Sequence, residues 1–319
     1  MVRVVLCGVG AIGTEILNYL IERHHEIVGV VDSDPEKAGR TVAELTGLPL
    51  GIPIRSDLNS VQLTDADVVV FSTRSRLSDM GPEIMRAVNN GIDVVTTSEE
   101  MAFPQHAGVE LARDIDALAL EKGVTVVGVG VNPGFVMDWV PALVASASKN
   151  PVSIHVVRSV DVSRRRRQLQ AKTGVGLSKA RFEKDLAEKK MGHVGLAESA
   201  HLVALSMGKE LVGIKEGVFP VLGSEDYVMG VRQFVEGMAG SCQIRLDLEM
   251  TMTSADFDVV EVKGEPSLKV RFEKGVFGDS ATVALTVHAV ERVGQAKPGL
   301  ITVLDLPLSR VVQAPGAGR

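Results

Sequence analysis

Two groups of residues have the types and spacing to do chemistry. The first is Gly8-Val9-Gly10-Ala11-Ile12-Gly13, which follows the apolar run Val2 to Leu6 and opens an amphipathic stretch. In that context the first glycine permits a tight turn, the second lets a pyrophosphate approach the backbone, and the third lets helix pack on strand. The phosphates then sit at a helix N-terminus. Asp32 ends the next apolar run, 24 positions after Gly8, near the spacing for a carboxylate that holds ribose hydroxyls. Ser72 and Thr73, at the end of a third run, are assigned to the same dinucleotide site together with Gly8, Gly10, Ala11, Ile12, Gly13 and Asp32. A carboxylate at position 32 repels a 2′-phosphate and favours NAD; Ser33 and Arg40 lie close enough to keep NADP open.

The second group is Thr96-Thr97-Ser98-Glu99-Glu100, where another run ends. Two adjacent carboxylates there lie in a solvated loop, cap the helix that follows Pro104, or act on protons beside the nicotinamide. Oxidising an amine by hydride loss requires a neutral nitrogen, so a carboxylate must take or relay a proton and then steady the cation that forms.

Candidates for holding a substrate lie further on. Asn132-Pro133-Gly134 ends a fifth run, and pocket lining competes with a plain turn. His193, beside Gly192, reads on its own as a capping or core histidine. Arg158 has the geometry to pair with a carboxylate, against the alternative of a solvated strand face. The run Arg164 to Arg167 reads as a solvated loop and is assigned no site. Cys7 and Cys242 are the only cysteines, so no disulfide framework is expected, and no metal site is assigned.

The elements that must position these residues fall into two patterns. Up to about residue 150, β-branched runs at 2–6, 26–31, 68–72, 93–96 and 125–129 alternate with helical stretches at 12–23, 35–46, 80–90 and 104–122. This spells βαβ units and a doubly wound parallel sheet of the Rossmann type. An apolar helix is expected through about 149. Beyond it the strands lengthen and alternate, at 152–162, 242–252, 256–262 and 282–289, with one helical block at 178–207. The expected architecture is α/β: an N-terminal Rossmann domain, 1–140, and a second α+β domain, 141–319, on an open mixed sheet that serves substrate binding and oligomerisation. The tail 314–319 has no apolar anchor and is expected to fray.

Composition excludes several classes. A net charge of −6 disfavours a broad nucleic-acid surface. No run reaches the roughly 18 apolar residues of a membrane helix, and Val2 to Leu6 is too short for an export signal. A cytoplasmic location and, from the open sheet, a homodimer are expected.

Taken together the motifs resemble the 2,4-diaminopentanoate dehydrogenase and native amine dehydrogenase family, within the wider dihydrodipicolinate reductase-like group. The marks are the GxGxxG, Thr97 to Glu100 with Phe103-Pro104, Gly130 to Asp138, Lys172-Thr173-Gly174, Gly192 to Leu196 with Glu198-Ser199, and Lys297 to Leu300. The resemblance implies NAD(P)-linked oxidative deamination of a diamino acid, or reductive amination of small ketones with ammonia; it also implies a catalytic glutamate in the Glu99-Glu100 pair, Glu100 placed ahead of Glu99, and a substrate role for His193. The second-domain motifs of true dihydrodipicolinate reductases, a His-His pair and a Lys-x-Asp-x-Pro-Ser-Gly-Thr-Ala-like stretch, are not found. An imine reductase of that type and a non-catalytic NAD-binding sensor stand as the alternatives.

Overall fold

The computed structural model describes residues 1–307. In chain order the first elements are β1 (Arg3–Cys7), α1 (Ala11–Glu22), β2 (Glu26–Val31), α2 (Val42–Thr46), β3 (Ile54–Arg55), β4 (Val68–Phe71), α3 (Leu77–Asn89), β5 (Asp93–Thr96), α4 (Pro104–Ala107), α5 (Val109–Lys122) and β6 (Thr125–Gly128). There follow α6 (Trp139–Ala145), β7 (Lys149–Asp161), α7 (Arg167–Lys172), α8 (Lys179–Ala187), α9 (Leu196–Ser206), β8 (Leu211–Leu222), β9 (Val228–Ala239) and β10 (Cys242–Thr251). The last are β11 (Phe257–Glu265), β12 (Leu268–Phe272), α10 (Gly278–Val290) and β13 (Gly299–Ile301).

The chain divides into two compact units, one of Met1–Val131 with the described residues from Gly278 on, the other Asn132–Phe277. In the first, a seven-stranded sheet runs β13-β6-β5-β4-β1-β2-β3 with every pair parallel. Val4, Val5, Leu6, Val69, Val70, Val94, Val95, Val126 and Val127 are all fully buried. A strand buried on both faces has no use for polar alternation, which explains the unbroken valine runs. The strand order reverses between β1 and β4, and a ligand crevice belongs outside the carboxyl ends of the strands at such a point. Gly8 and Ser72 stand there, and Ser72 N–H donates to the Cys7 carbonyl at 2.8 Å.

The expected Rossmann sheet is present, with three departures. The stretch 35–41 is turn, and only Val42–Thr46 is helical, started by a capping box between Thr41 and Glu44. The helix expected over 104–122 breaks at Gly108 into α4 and α5. The segment 282–289, expected as a strand of the second domain, lies in α10 and packs on α1 of the first unit. Its buried residues Val283, Thr286, Val287 and Val290 follow the helical period, and Thr286 Oγ returns its hydrogen bond to the Thr282 carbonyl. With β13 closing the sheet beside β6, the second domain does not extend to the chain's end as 141–319 would have it. The tail 314–319 lies outside the described residues.

The second unit holds a six-stranded mixed sheet, β12-β11-β7-β10-β9-β8, in which β7 and β10 run parallel and the other neighbours antiparallel. Its buried face carries Ile154, Val156, Val231, Val235, Ile244, Leu246, Leu248, Val260 and Val262. Helix α9 packs across β8, β9 and β10, and α6 packs against β7, β11 and β12. The helical block expected at 178–207 is two helices, α8 and α9, parted by the stretch that contains His193.

Candidate active site

The glycines of the first turn do separate jobs. Gly8 has φ +101°, and a Cβ there would stand 2.3 Å from the Ser72 carbonyl oxygen, so only glycine fits. A Cβ on Gly13 would meet the Gly8 carbonyl oxygen at 1.8 Å, which is the close helix-to-strand contact of the third motif glycine. Gly10 is different: its Cβ position has no heavy atom within 4 Å. That open space lies at the start of α1, where the first backbone N–H groups have no intrahelical acceptor, and Gly10 caps the helix without a side chain. Ala11 and Ile12 follow as the first helical residues. Such a cradle fits a dinucleotide's pyrophosphate. Thr73 lies against Gly8, 2.8 Å from its Cβ position through Cγ2, and its hydroxyl donates to Met80 Sδ.

Asp32 stands at the end of β2 with its side chain 11% exposed. Oδ2 accepts from Val9 N–H at 2.8 Å and from Lys37 Nζ at 2.9 Å, while Oδ1 accepts from Asp34 N–H at 3.0 Å. Burial works to raise its pKa, but the Lys37, Asp34 and Val9 donors outweigh it and hold the carboxyl below the usual range. Lys37 is a partner that motif reading passed over.

The Thr96–Glu100 loop is held by its own small side chains. Thr96 Oγ donates to Ser98 Oγ at 2.9 Å, and Ser98 Oγ donates to the Arg74 carbonyl at 2.6 Å, tying the loop to the one before α3. On its other side, Gly128 ends β6 where a Cβ would come within 2.4 Å of the Met101 carbonyl group. Glycine at 128 is therefore what lets the Glu99–Ala102 turn lie against the sheet. Glu100 Oε2 accepts from Leu77 N–H at 2.7 Å, at the start of α3, and Glu100 N–H donates to the Ser75 carbonyl. The carboxylate is thus fixed through one oxygen, and the cap is given to α3 rather than to the helix after Pro104.

In the second unit the 132–139 turn is pinned by a fully buried carboxylate, Asp138. It accepts from Gly134 N–H at 2.8 Å, Trp139 N–H at 2.6 Å and Ser199 Oγ at 2.7 Å. Burial pushes Asp138 up despite these donors. Asn132 is 8% exposed, and its carbonyl contacts His193 Nε2 at 2.9 Å. Gln233 grips the His193 backbone reciprocally: Oε1 accepts from His193 N–H at 2.9 Å, and Nε2 donates to the His193 carbonyl at 2.8 Å. Asn132, Pro133 and His193 are therefore brought together. The same turn carries Phe135 and Trp139, stacked at 5.9 Å and both half-buried.

Arg158 is a correction. It is neither a solvated residue nor available to a substrate carboxylate. Its guanidinium is 5% exposed and donates to Asp258 Oδ1 at 2.8 Å and to the Val276 carbonyl at 2.9 Å, while Val276 N–H donates to Asp258 Oδ2. Burial pulls Arg158 down and pushes Asp258 up, and the pairing of the two across β7 and β11 opposes both. Of the arginine run, Arg165 is not solvated: it is buried over the Phe277 ring, 3.9 Å from its centroid. Lys297 to Leu300 is structural too, with Thr125 Oγ donating to the Lys297 carbonyl and Leu300 N–H to Asp116 Oδ1 as β13 joins the sheet. Cys7 and Cys242 are both free and buried. Among the described residues no group of His, Cys, Asp and Glu is arranged to hold a metal, and no helix is long and apolar enough to cross a membrane.

Sequence reading gave Asp138 and Ser199 only as motif marks and passed over Gln233; these three hold the second-unit residues in place. The NPGFVMD run contained Asp138, but nothing in the sequence says that its carboxylate turns back onto its own loop. The family model for the 2,4-diaminopentanoate dehydrogenase C-terminal domain matches residues 135–248 and 230–316, and that for the oxidoreductase family with an NAD-binding Rossmann fold matches 2–127. A 2,4-diaminopentanoate dehydrogenase of Acetoanaerobium sticklandii is 29% identical, over 98% of this chain and 95% of the relative. An amine dehydrogenase of Streptomyces virginiae is 22% identical, over 97% of each chain. The solved amine dehydrogenase of Mycobacterium smegmatis has the same fold, with a TM-score of 0.88 at 23% identity over 98% of this chain and 97% of that one.

Proposed function

Because the chain belongs to the 2,4-diaminopentanoate dehydrogenase family, we propose that it is an NAD(P)-dependent amine dehydrogenase that deaminates 2,4-diaminopentanoate or a similar small amine. In the reverse direction it aminates the ketone with ammonia. The observation that carries this reading is a dinucleotide cradle and an anchored glutamate on the same sheet edge of the first unit. Gly8, Gly10, Ala11, Ile12 and Gly13 receive the pyrophosphate, Asp32 the ribose, and Ser72 and Thr73 border the turn. When bound, the nicotinamide supplies the hydride acceptor or donor.

Glu100, or Glu99 beside it, takes the proton from the substrate ammonium so that nitrogen enters the reaction neutral. The resulting carboxylic acid hands that proton on, and a carboxylate in the same place then steadies the cationic carbon–nitrogen centre and activates the incoming water. Leu77 N–H holds Glu100 Oε2, and a group held in one orientation loses little freedom on meeting substrate. Asn132, Pro133 and His193 line the substrate side in this reading.

The reading extends to assembly and place. The face of the second sheet opposite α6 and α9 carries Phe219 stacked on Phe234, Arg245 over Phe234, and His155 and Arg245 both on Asp247, with exposed Val212 and Met238 beside them. An isologous homodimer through this face, in the cytoplasm, suits that mixture. Sedimentation of Phe219→Asp as a monomer, against a wild-type dimer, supports the interface; a monomeric wild type removes it.

The activity is tested by mixing the protein with NAD+ or NADP+ and 2,4-diaminopentanoate, simple amines, or an alcohol, at alkaline pH. Absorbance at 340 nm should rise with amines alone. A rise with the alcohol and none with amines sinks the proposal.

A further inference from the structure

We propose that Lys37 sets this chain's nucleotide preference: its ammonium shields Asp32 and receives the 2′-phosphate of NADP, so that the site accepts both dinucleotides. The inference rests on the nucleotide-binding reading of the first unit and not on the identity of the amine.

A carboxylate that grips a ribose 2′-hydroxyl repels a phosphate in the same place, which is why an aspartate at the end of the second strand signals NAD. Asp32 is not a bare carboxylate of that kind. It has about four lone-pair sites, and three are taken by Val9 N–H, Lys37 Nζ and Asp34 N–H. What remains serves one ribose hydroxyl. The Lys37 ammonium sits 2.9 Å from Asp32 Oδ2 and 3.8 Å from Asp34 Oδ2, with its side chain 25% exposed. It is therefore a cation at the place where a ribose substituent would approach, still open to solvent.

The turn built by the sequence after β2 explains why the lysine is there. Asp34 Oδ1 accepts from Glu36 N–H, and Lys37 N–H and Ala38 N–H both donate to the Asp34 carbonyl, which curls the chain back and aims residue 37 at Asp32. Arg55, exposed, ends β3 beside this turn, and its carbonyl accepts from Asp32 N–H at 2.9 Å. Lysine carries three donors on a flexible stem, so it can turn from the carboxylates to a phosphate without moving the backbone. With NAD the lysine stays on Asp32. With NADP it bridges carboxylate and phosphate, and the repulsion is removed.

The test is calorimetric binding of NAD+, NADP+, ADP and adenosine 2′,5′-bisphosphate to the wild-type chain, Lys37→Met and Lys37→Arg. Lys37→Met should weaken NADP+ and the 2′,5′-bisphosphate by at least about tenfold, and leave NAD+ and ADP within about threefold. Lys37→Arg should retain both 2′-phosphate ligands, and Asp32→Asn should shift the preference further toward them. Equal weakening of all four ligands by Lys37→Met would make the lysine only a prop for Asp32 and overturn the proposal. So would unchanged NADP+ binding, or a wild type that takes NAD+ but not NADP+. Binding is read without turnover, so failure of the amine reading leaves this result standing, and the reverse.

Discussion

Replacing Asp138 with alanine removes the acceptor of three buried donors at once. Gly134 N–H, Trp139 N–H and Ser199 Oγ lie 2.8, 2.6 and 2.7 Å from its oxygens in a site with no solvent exposure. A buried donor left without a partner costs about 1–3 kcal/mol. Two effects reduce the sum. Ser199 can turn toward Asn132 Oδ1, already 3.5 Å away, and removing a carboxyl that burial pushes up releases its desolvation penalty. The net expectation is a loss of about 2–4 kcal/mol in the second unit. Ser199→Ala, which deletes one donor and leaves the two backbone bonds, should lose about 1 kcal/mol. Trp139 is the chain's single tryptophan and donates directly to Asp138, so its fluorescence during urea unfolding reports the affected turn. Because the turn carries Asn132, against which His193 rests, Asp138→Ala should also raise KM for the amine while nucleotide affinity holds. A change in unfolding free energy below about 0.5 kcal/mol, typical of an unconstrained surface position, would refute the reasoning.

Other substitutions separate the glycines by what surrounds them. Gly10→Ala meets open space and should fold as wild type with weakened NAD+ binding, whereas Gly13→Ala, facing the Gly8 carbonyl oxygen at 1.8 Å, should lower the melting temperature; calorimetry and thermal melts distinguish the two. Gly128→Ala forces the Met101 backbone away and with it the Glu99–Glu100 turn, so kcat should drop by roughly 10²-fold with NAD+ affinity retained, measured by steady-state kinetics beside calorimetry. Stability should also fall on the acid side of neutrality. Burial, against the pull of Glu291, lowers His25 and His288 from 6.5, so below that value the unfolded chain binds more protons than the folded one. The contribution is full above about pH 6.5 and is lost as pH falls through the lower folded values, which denaturant midpoints at successive pH values would show.

Legibility in the sequence followed how local each signal was. The glycine turn, Asp32 and the valine runs are contiguous patterns, and the structure keeps them where the spacing puts them. Short strands left no pattern: Ile54–Arg55 and Gly299–Ile301 are too brief for alternation to register, and β13 joins by a return of the chain from far away. Helix α10 misled because ATVALTVHAV is rich in β-branched residues, and packing on α1 overrides that preference. Arg158 misled for a different reason. Its partner Asp258 stands opposite it on β11, one hundred residues later, and a buried ion pair is visible only once the strands are paired. Glu100 lay between the two cases: the carboxylate pair was evident, but not that Leu77 would hold one of its oxygens.

The central claim is that hydride loss occurs at a carbon bearing nitrogen, and the balance of products tests it most directly. Ammonia and reduced nucleotide should be measured together during oxidation of 2,4-diaminopentanoate and of simple amines, in the wild type and in Glu99→Gln and Glu100→Gln. The account expects one ammonia released for each NADH or NADPH formed, and a collapse of both in at least one glutamine variant that still binds nucleotide. Reduced nucleotide without ammonia, or full turnover in both variants, would contradict it.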